Sequence, residues 1–311
     1  MSTTHEHDRG HGHEHAVNLA NRSRLLAAIA IVSVVLIVEV VGAVLSGSLA
    51  LVADAGHMLS DLTGLVVALV ATVMAARPAT DRHTFGSRRA EVFAAFINGA
   101  ILLTVVIVVT VEAVRRLVEP APGVQATLML VVAVIGAVAN TAALLVLRGG
   151  AKDSINMRGA YLEVLGDLVG SMAVAIAAVI ILLTGFERAD AIASLAIAVL
   201  ILPRAASLLR DVIRVLSQGA PKGTDIALIR EHVLGTAGVV SVHDVHVWSI
   251  APGSNVFSAH VVVEPRVFSE GRADDLLDAL SSCLAEHFDV EHSTFQLEPA
   301  EHAKHEVEQH R

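Results

Sequence analysis

His57 and Asp61 stand four residues apart, as do Glu163 and Asp167, and both pairs fall inside long apolar runs. On a helix, residues i and i+4 share one face, so each pair aims two metal-ligating side chains at a common point. Two such helices facing each other would supply four ligands, the number that tetrahedral zinc takes. An ionisable group at bilayer depth costs on the order of 2.5–3.5 kcal/mol even on the most lenient scale. A divalent cation can offset that cost, and so can protons, which describes a site alternating between metal-loaded and protonated states. Polar contacts that merely hold helices together are the rival reading, but two spaced pairs containing a histidine are more than such contacts require. Asp54, three residues before His57 and near the same face, is a candidate to support the ligands from behind. Glu39, Asn98, Glu112 and Asn140 are weaker candidates for support, for a pathway or for packing. Gly42, Gly136 and Gly170 read as points of close helix approach.

Six stretches must carry these residues. Leu25–Leu45, Leu49–Ala75, Val92–Val118, Val124–Leu147, Ala160–Leu183 and Ala189–Leu209 are each long enough to cross about 30 Å of hydrocarbon. A hydrophobic content of 54% over 311 residues and a mean hydropathy of +0.65 exclude an ordinary soluble domain and place most of the chain in a lipid bilayer. The first span follows a charged, His-rich segment and ends without a clear cleavage site, the pattern of a retained helix and not of a signal peptide. A net charge of −9 gives no support for nucleic acid as a partner. One cysteine, Cys283, excludes an intrachain disulfide framework and any multi-cysteine metal site.

Arg77, Arg82, Arg88, Arg89, Arg148, Lys152 and Arg158 cluster in the second and fourth connections, and Arg22 and Arg24 precede the first span, so both termini are expected in the cytoplasm. Arg115 and Arg116 stand at the opposite end of the third span, where Glu119 and snorkelling are expected to accommodate them. Beyond the sixth span the breaker-rich Ser217-Gln-Gly-Ala-Pro-Lys-Gly223 opens a second domain. Patterning there predicts a helix over Asp225–Leu234, strands over Val239–Ile250 and Asn255–Glu264, a helix over Ala273–His287 and a strand over Val290–Glu298. The order αββαβ fits a small open-faced α+β sandwich, with Pro252-Gly253-Ser254-Asn255 as the hairpin connection. Trp248 reads equally as a core anchor or a dimer contact. The chain thus divides into a His-rich cytosolic tail (1–22), a six-helix transmembrane domain (23–212), a cytosolic α+β domain (213–299) and a C-terminal tail (300–311). The first tail holds His5, His7, His11, His13 and His15, is too polar to build a core, and is expected to be disordered. Its imidazoles could concentrate metal near a cytoplasmic entrance. His302, His305 and His310 in the second tail are read as solvated.

These residues carry a resemblance over nearly the whole chain. Gly47-Ser-Leu-Ala-Leu-Val-Ala-Asp-Ala-Gly-His-Met-Leu-Ser-Asp61 resembles the second-helix signature of the cation diffusion facilitators, close to their zinc/cobalt/cadmium resistance branch. Asn156-Met-Arg-Gly-Ala-Tyr-Leu-Glu-Val-Leu-Gly-Asp167 resembles the fifth-helix signature, Phe85-Gly-Ser-Arg-Arg-Ala-Glu91 the segment leading into the third helix, and Val242-His-Asp-Val-His-Val-Trp248 the signature of the cytosolic domain. The resemblance implies a homodimeric secondary transporter, not an enzyme, that exports Zn2+, and also Co2+ or Cd2+, from the cytoplasm in exchange for protons. It implies a metallochaperone-like, ferredoxin-like cytosolic domain, residence in a bacterial-type inner (plasma) membrane, and no organic cofactor. His57, Asp61, Glu163 and Asp167 take the transport-site positions, and His243, His260 and Glu298 those of regulatory metal binding. Asp81 and His83 occupy a loop where some members hold a further metal; with Ser87 where another histidine occurs, a solvated loop is the favoured reading there.

One departure concerns selectivity, because zinc-selective members usually carry histidine where this chain has Glu163. A harder, charged ligand should reduce discrimination against cobalt, cadmium, manganese or iron(II), so an exporter mainly of Mn2+ or Fe2+ is an alternative. Two other classes compete. An intramembrane metalloenzyme would also need histidine and aspartate in a membrane cavity, but the chain has no His-Glu-x-x-His pair. A membrane-anchored metal sensor would not need six spans with buried ligand pairs.

Overall fold

The computed structural model describes residues 11–75, 80–81, 84–86, 88–119, 123–148, 155–288 and 290–303. Six long helices come first: α1 (His11–Ser46), α2 (Leu49–Ala75), α3 (Arg89–Val118), α4 (Ala126–Leu147), α5 (Ile155–Thr184) and α6 (Arg188–Leu216). Each contains a window apolar enough to cross a membrane, so this is a multi-pass membrane protein. The window of α2 is the least hydrophobic, at a mean hydropathy of 1.3 against 2.1 to 2.7 for the other five. Then follow α7 (Ile226–Leu234), β1 (Val239–Ala251), β2 (Ser254–Val263), α8 (Pro265–Ser269), α9 (Ala273–Phe288), β3 (Val290–Pro299) and the single turn α10 (Ala300–Ala303). The chain forms two compact units, one of residues 1–77 with 94–209, the other of 78–93 with 210–311.

In the first unit, Leu51, Leu102, Val109, Met129, Val174 and Ala178 belong to one buried cluster, while Ile37, Val44, Val111, Val138 and Val146 point outward. Outward apolar side chains of this number would aggregate a soluble protein, and lipid is the solvent they fit. Small residues bring the helices close. A Cβ on Gly42 would sit 2.5 Å from Val132 Cγ2, one on Gly136 would sit 3.0 Å from Ser171 Oγ, and one on Gly170 would sit 2.9 Å from Asp54 Oδ1. The close approach expected at these three glycines is therefore present.

Asp190, in the first turn of α6, is 1% exposed and caps the start of α2 across the bundle. Its carboxylate accepts from Ser48 Oγ at 2.6 Å, Leu49 N–H at 2.8 Å and Ala50 N–H at 3.1 Å. Two orphan N–H donors of the helix N-terminus, together with the Ser48 hydroxyl, thereby find a charged acceptor. Arg116 Nη1 lies 3.6 Å from the same carboxylate and donates to the Gly47 carbonyl at 2.9 Å. Arg116 Nε pairs with Glu112 at 3.1 Å, and Arg115 with Glu112 at 2.7 Å. The arginine pair at this end of α3 is accommodated chiefly by Glu112 and Asp190, with Glu119, to which sequence reasoning looked, acting on Arg115 through its charge.

A second correction concerns the N-terminal segment. α1 begins at His11, so residues 11–22, expected to be disordered, are helical; Glu14, Ala16, Leu19, Ala20 and Arg22 are good helix formers that extend the span backwards. His5 and His7 lie outside the described residues, as do His305 and His310, while His302 falls in α10.

The second unit contains a three-stranded sheet in the order β1-β2-β3, with β1 and β2 antiparallel and β2 and β3 parallel. Asp225 caps α7 by accepting from the N–H groups of Ala227 and Leu228. Leu276, Leu280 and Leu284 recur every four residues along α9 and share a buried cluster with Ile229, Phe257 and Val261. The αββαβ order is present, with the short α8 added where Pro265 opens a turn of helix after β2. Trp248 is half-buried. The segment leading into α3 belongs to this unit: Phe85 meets His292 edge-on with ring centroids 5.5 Å apart, and Arg88 Nη1 donates to Ser254 Oγ at 2.7 Å. Partial burial and Glu286 push the Cys283 thiol up, which keeps this single cysteine in its unreactive protonated form at neutral pH.

Candidate metal centres

Both ligand pairs occupy the helices that the spacing demanded, His57 and Asp61 on α2 and Glu163 and Asp167 on α5. His57 Nε2 lies 3.0 Å from Asp167 Oδ1 across the two helices and 4.0 Å from Asp61 Oδ2 one turn along its own. The three side chains are only 12%, 14% and 12% exposed for His57, Asp61 and Asp167. Ligand atoms of these three all lie within 4.8 Å of one another. His57 Nδ1 is buried without a hydrogen-bond partner. Two carboxylates and an imidazole at this separation are a donor set for a borderline divalent cation, and without one their proximity is an electrostatic liability.

Glu163 does not join that group of three. Its carboxylate is paired with Arg204 of α6, whose Nη2 also lies 2.7 Å from Asp61 Oδ1 and whose Nη1 lies 3.4 Å from His57 Nε2. Arg204 was missed in the sequence. The available signal was a charged residue directly after Pro203, following an uncharged run from Ala191 to Pro203, and proline inside a helix removes one backbone donor and loosens the turn before it.

Asp54 and Glu39 are buried, 4% and 2% exposed, and both feel the charge of Asp167. Ser171 Oγ donates to Asp54 Oδ2 at 3.4 Å, and Asn140 Nδ2 lies 3.5 Å from Ser171 Oγ. Glu39 Oε1 would be 3.2 Å from a Cβ on Gly136. The hydrogen bonds of Asn98 go to Ser60, to its carbonyl at 3.2 Å and its hydroxyl at 3.1 Å, which ties α3 to α2 and leaves the ligands alone. Glu112 serves the arginine pair described above.

In the sheet, Phe257, Ala259, Val261 and Val263 join the helix-covered core, so the two-residue period of β2 puts His260 on the other face. The register pairs His243 of β1 with His260, and their rings are 5.1 Å apart. Glu298 of β3, 1% exposed, reaches both: Oε2 lies 3.2 Å from His243 Nε2 and Oε1 lies 2.8 Å from His260 Nδ1. Gln296 Nε2 donates to Glu298 Oε1 at 2.7 Å. Asp244, at φ +46° beside a register shift in β1, brings a ligand atom within 4.8 Å of those of His243 and His260. That left-handed residue was not visible as a candidate, since a bulge breaks the alternation by which strand faces are assigned. Asp81 is exposed, and His83 lies outside the described residues.

Residues 25–217 match the family pattern described as "Cation efflux transmembrane domain", and residues 221–300 match "Cation efflux protein, cytoplasmic domain". The chain is 40% identical over 296 residues to the metal cation efflux system protein CzcD of Cupriavidus metallidurans, covering 94% of this chain and 92% of that protein. It is 37% identical over 295 residues to the cadmium, cobalt and zinc/H(+)-K(+) antiporter of Bacillus subtilis, covering 94% and 93%. To the zinc transporter ZitB of Escherichia coli it is 40% identical over 294 residues, covering 94% and 92%. With the signatures of α2 and α5 on facing helices and the transmembrane pattern spanning well over half of its length, the chain belongs to the cation efflux family of membrane transporters.

Proposed function

We propose that the protein exports Zn2+, and with it Co2+ and Cd2+, from the cytoplasm in exchange for protons, using His57, Asp61, Asp167 and Glu163 as the transport site. The convergence of His57, Asp61 and Asp167 within 4.8 Å inside the spans carries this reading, and the names of the relatives support the metals. Deprotonated ligands take the cation from the cytoplasmic side, the helices rock, and protons displace the metal outside. A protonated site then returns at a lower desolvation cost than an empty one with bare carboxylates. The arginine-rich second and fourth connections support an orientation with both termini in the cytoplasm; in this reading the protein works as a homodimer in a bacterial-type inner membrane.

Uptake into proteoliposomes under an imposed pH gradient tests this. Zinc should move against the proton flow, with cobalt and cadmium following and manganese behind them. Glu163→His should raise the zinc-to-manganese rate ratio by about tenfold, because imidazole is a softer ligand than carboxylate. If no metal moved and the pH gradient were indifferent to every metal, the transport reading would fail and a membrane-anchored sensor would take its place.

His243, His260 and Glu298, with Asp244 beside them, are the proposed regulatory metal site. Glu298→Ala in the full-length protein should weaken one class of zinc site by at least about 100-fold, more than the loss of a residue that only orients ligands. The titration is done calorimetrically in an Asp167→Ala background, so that the transport site does not contribute. An unchanged isotherm would remove Glu298 from the ligand set.

A further inference from the structure

Arg204 is a permanent cation placed by α6 among the ligands of two other helices. An arginine in a span ordinarily aims its head at the membrane surface. Here the guanidinium, on a side chain 41% exposed, also meets Glu163, approaches Asp61 to 2.7 Å and lies 3.4 Å from His57 Nε2. The ligand set of this chain carries one more carboxylate than a site built from two histidines and two aspartates. Three carboxylates against one divalent cation would leave a net negative charge inside the membrane, and an unpaired charge there is costly. The guanidinium contributes the missing positive charge from a residue that cannot deprotonate.

Deepening the transport reading above, and resting on it, we propose that Arg204 is the fixed counter-charge of the transport site, matched to Glu163. With Asp61, Glu163 and Asp167 ionised and Arg204 in place, the site holds two net negative charges, which one divalent cation cancels. Arg204 keeps Glu163 when metal arrives and gives up Asp61, whose oxygen it competes for with the cation. It is a positioning and charge-matching residue, not a metal ligand.

The test is a double-mutant cycle in full-length protein reconstituted in proteoliposomes, reading maximal rate and KM for zinc uptake. Arg204→Gln leaves excess negative charge: KM should stay the same or fall, since a competitor for Asp61 is gone, while the maximal rate drops at least tenfold. Glu163→His alone leaves excess positive charge and should raise KM by severalfold. The double substitution Glu163→His with Arg204→Gln restores charge balance and should recover a rate clearly above that of Arg204→Gln alone, a non-additive result. Arg204→Lys, which keeps the charge, should retain more of the rate than Arg204→Gln. An unchanged rate in Arg204→Gln, or a double variant no better than that single one, would overturn the proposal. The latter is the outcome for an arginine that only braces helices. Absence of zinc uptake by the unaltered protein in the same vesicles would instead bring down the transport reading itself, and the charge-matching role with it.

Discussion

Replacement of Asp167 by alanine is expected to bring zinc uptake to the level of protein-free vesicles, a loss of at least about 100-fold. Residues that only orient ligands cost 10- to 100-fold when removed, and the role proposed for Asp167 is to bind the cargo directly. It supplies the cross-helix approach to His57 Nε2 at 3.0 Å. Without it, the group of three mutually close donors falls to His57 and Asp61, both on α2, and Glu163, which Arg204 also engages, is the one proposed ligand left on α5. Two donors on one helix face and a carboxylate shared with a guanidinium enclose a cation poorly, and α5 would keep only that shared carboxylate to sense whether metal is present. Initial rates under a fixed pH gradient give the answer, with size-exclusion behaviour in detergent verifying that the variant is folded. Retention of more than a tenth of the rate would mean that the cargo binds elsewhere.

Asp190→Ala should strike the fold instead of the chemistry. The carboxylate is 1% exposed and serves Ser48 Oγ, Leu49 N–H and Ala50 N–H at once, with Arg116 close by. Hydrogen bonds to a charged group contribute about 1.5–3 kcal/mol each, and removing one partner of a buried charged cluster costs roughly 3–5 kcal/mol. The thermal midpoint in detergent should fall by about 10 °C, with lower yield on membrane extraction. Asp190→Asn keeps an acceptor and should lie between the two. A midpoint within a degree of the unaltered protein would show that the start of α2 is held by packing alone.

The contrast between these two aspartates also marks what sequence can reveal. Asp167 is visible because its partner Glu163 lies on the same helix at a spacing set by the 3.6-residue turn. Asp190 caps a helix 140 residues away in the chain, and no periodicity encodes that. Arg204 escaped for the same reason, as a single residue contributed by a third helix to a site recognised through pairs. The six spans were legible because apolar runs of sufficient length have few other uses. The order of the soluble domain was legible because alternation gives way to helical spacing and back again. Sheet partners were harder. Alternation over the expected strand Asn255–Glu264 sets His260 beside Glu264 on one face, yet Glu264 lies beyond β2 and pairs with Arg266. Glu298, from the parallel neighbour β3, takes both imidazoles.

The modest hydropathy of α2 bears on how the chain is made. Asp54, His57 and Asp61 all lie within the window Leu49–Val67. Each acid opposes entry into hydrocarbon by about 2.5–3.5 kcal/mol near mid-membrane, while each leucine or valine favours it by only about 0.3–0.6 kcal/mol. Left to itself, α2 is close to indifferent between lipid and water. The helix before it is not, with a window of mean hydropathy 2.7, and α1 and α2 share the packing of Leu36 against Ala55 and Met58. Biogenesis therefore has to deliver the two as a hairpin, α1 carrying across a successor whose acids make it a poor passenger alone.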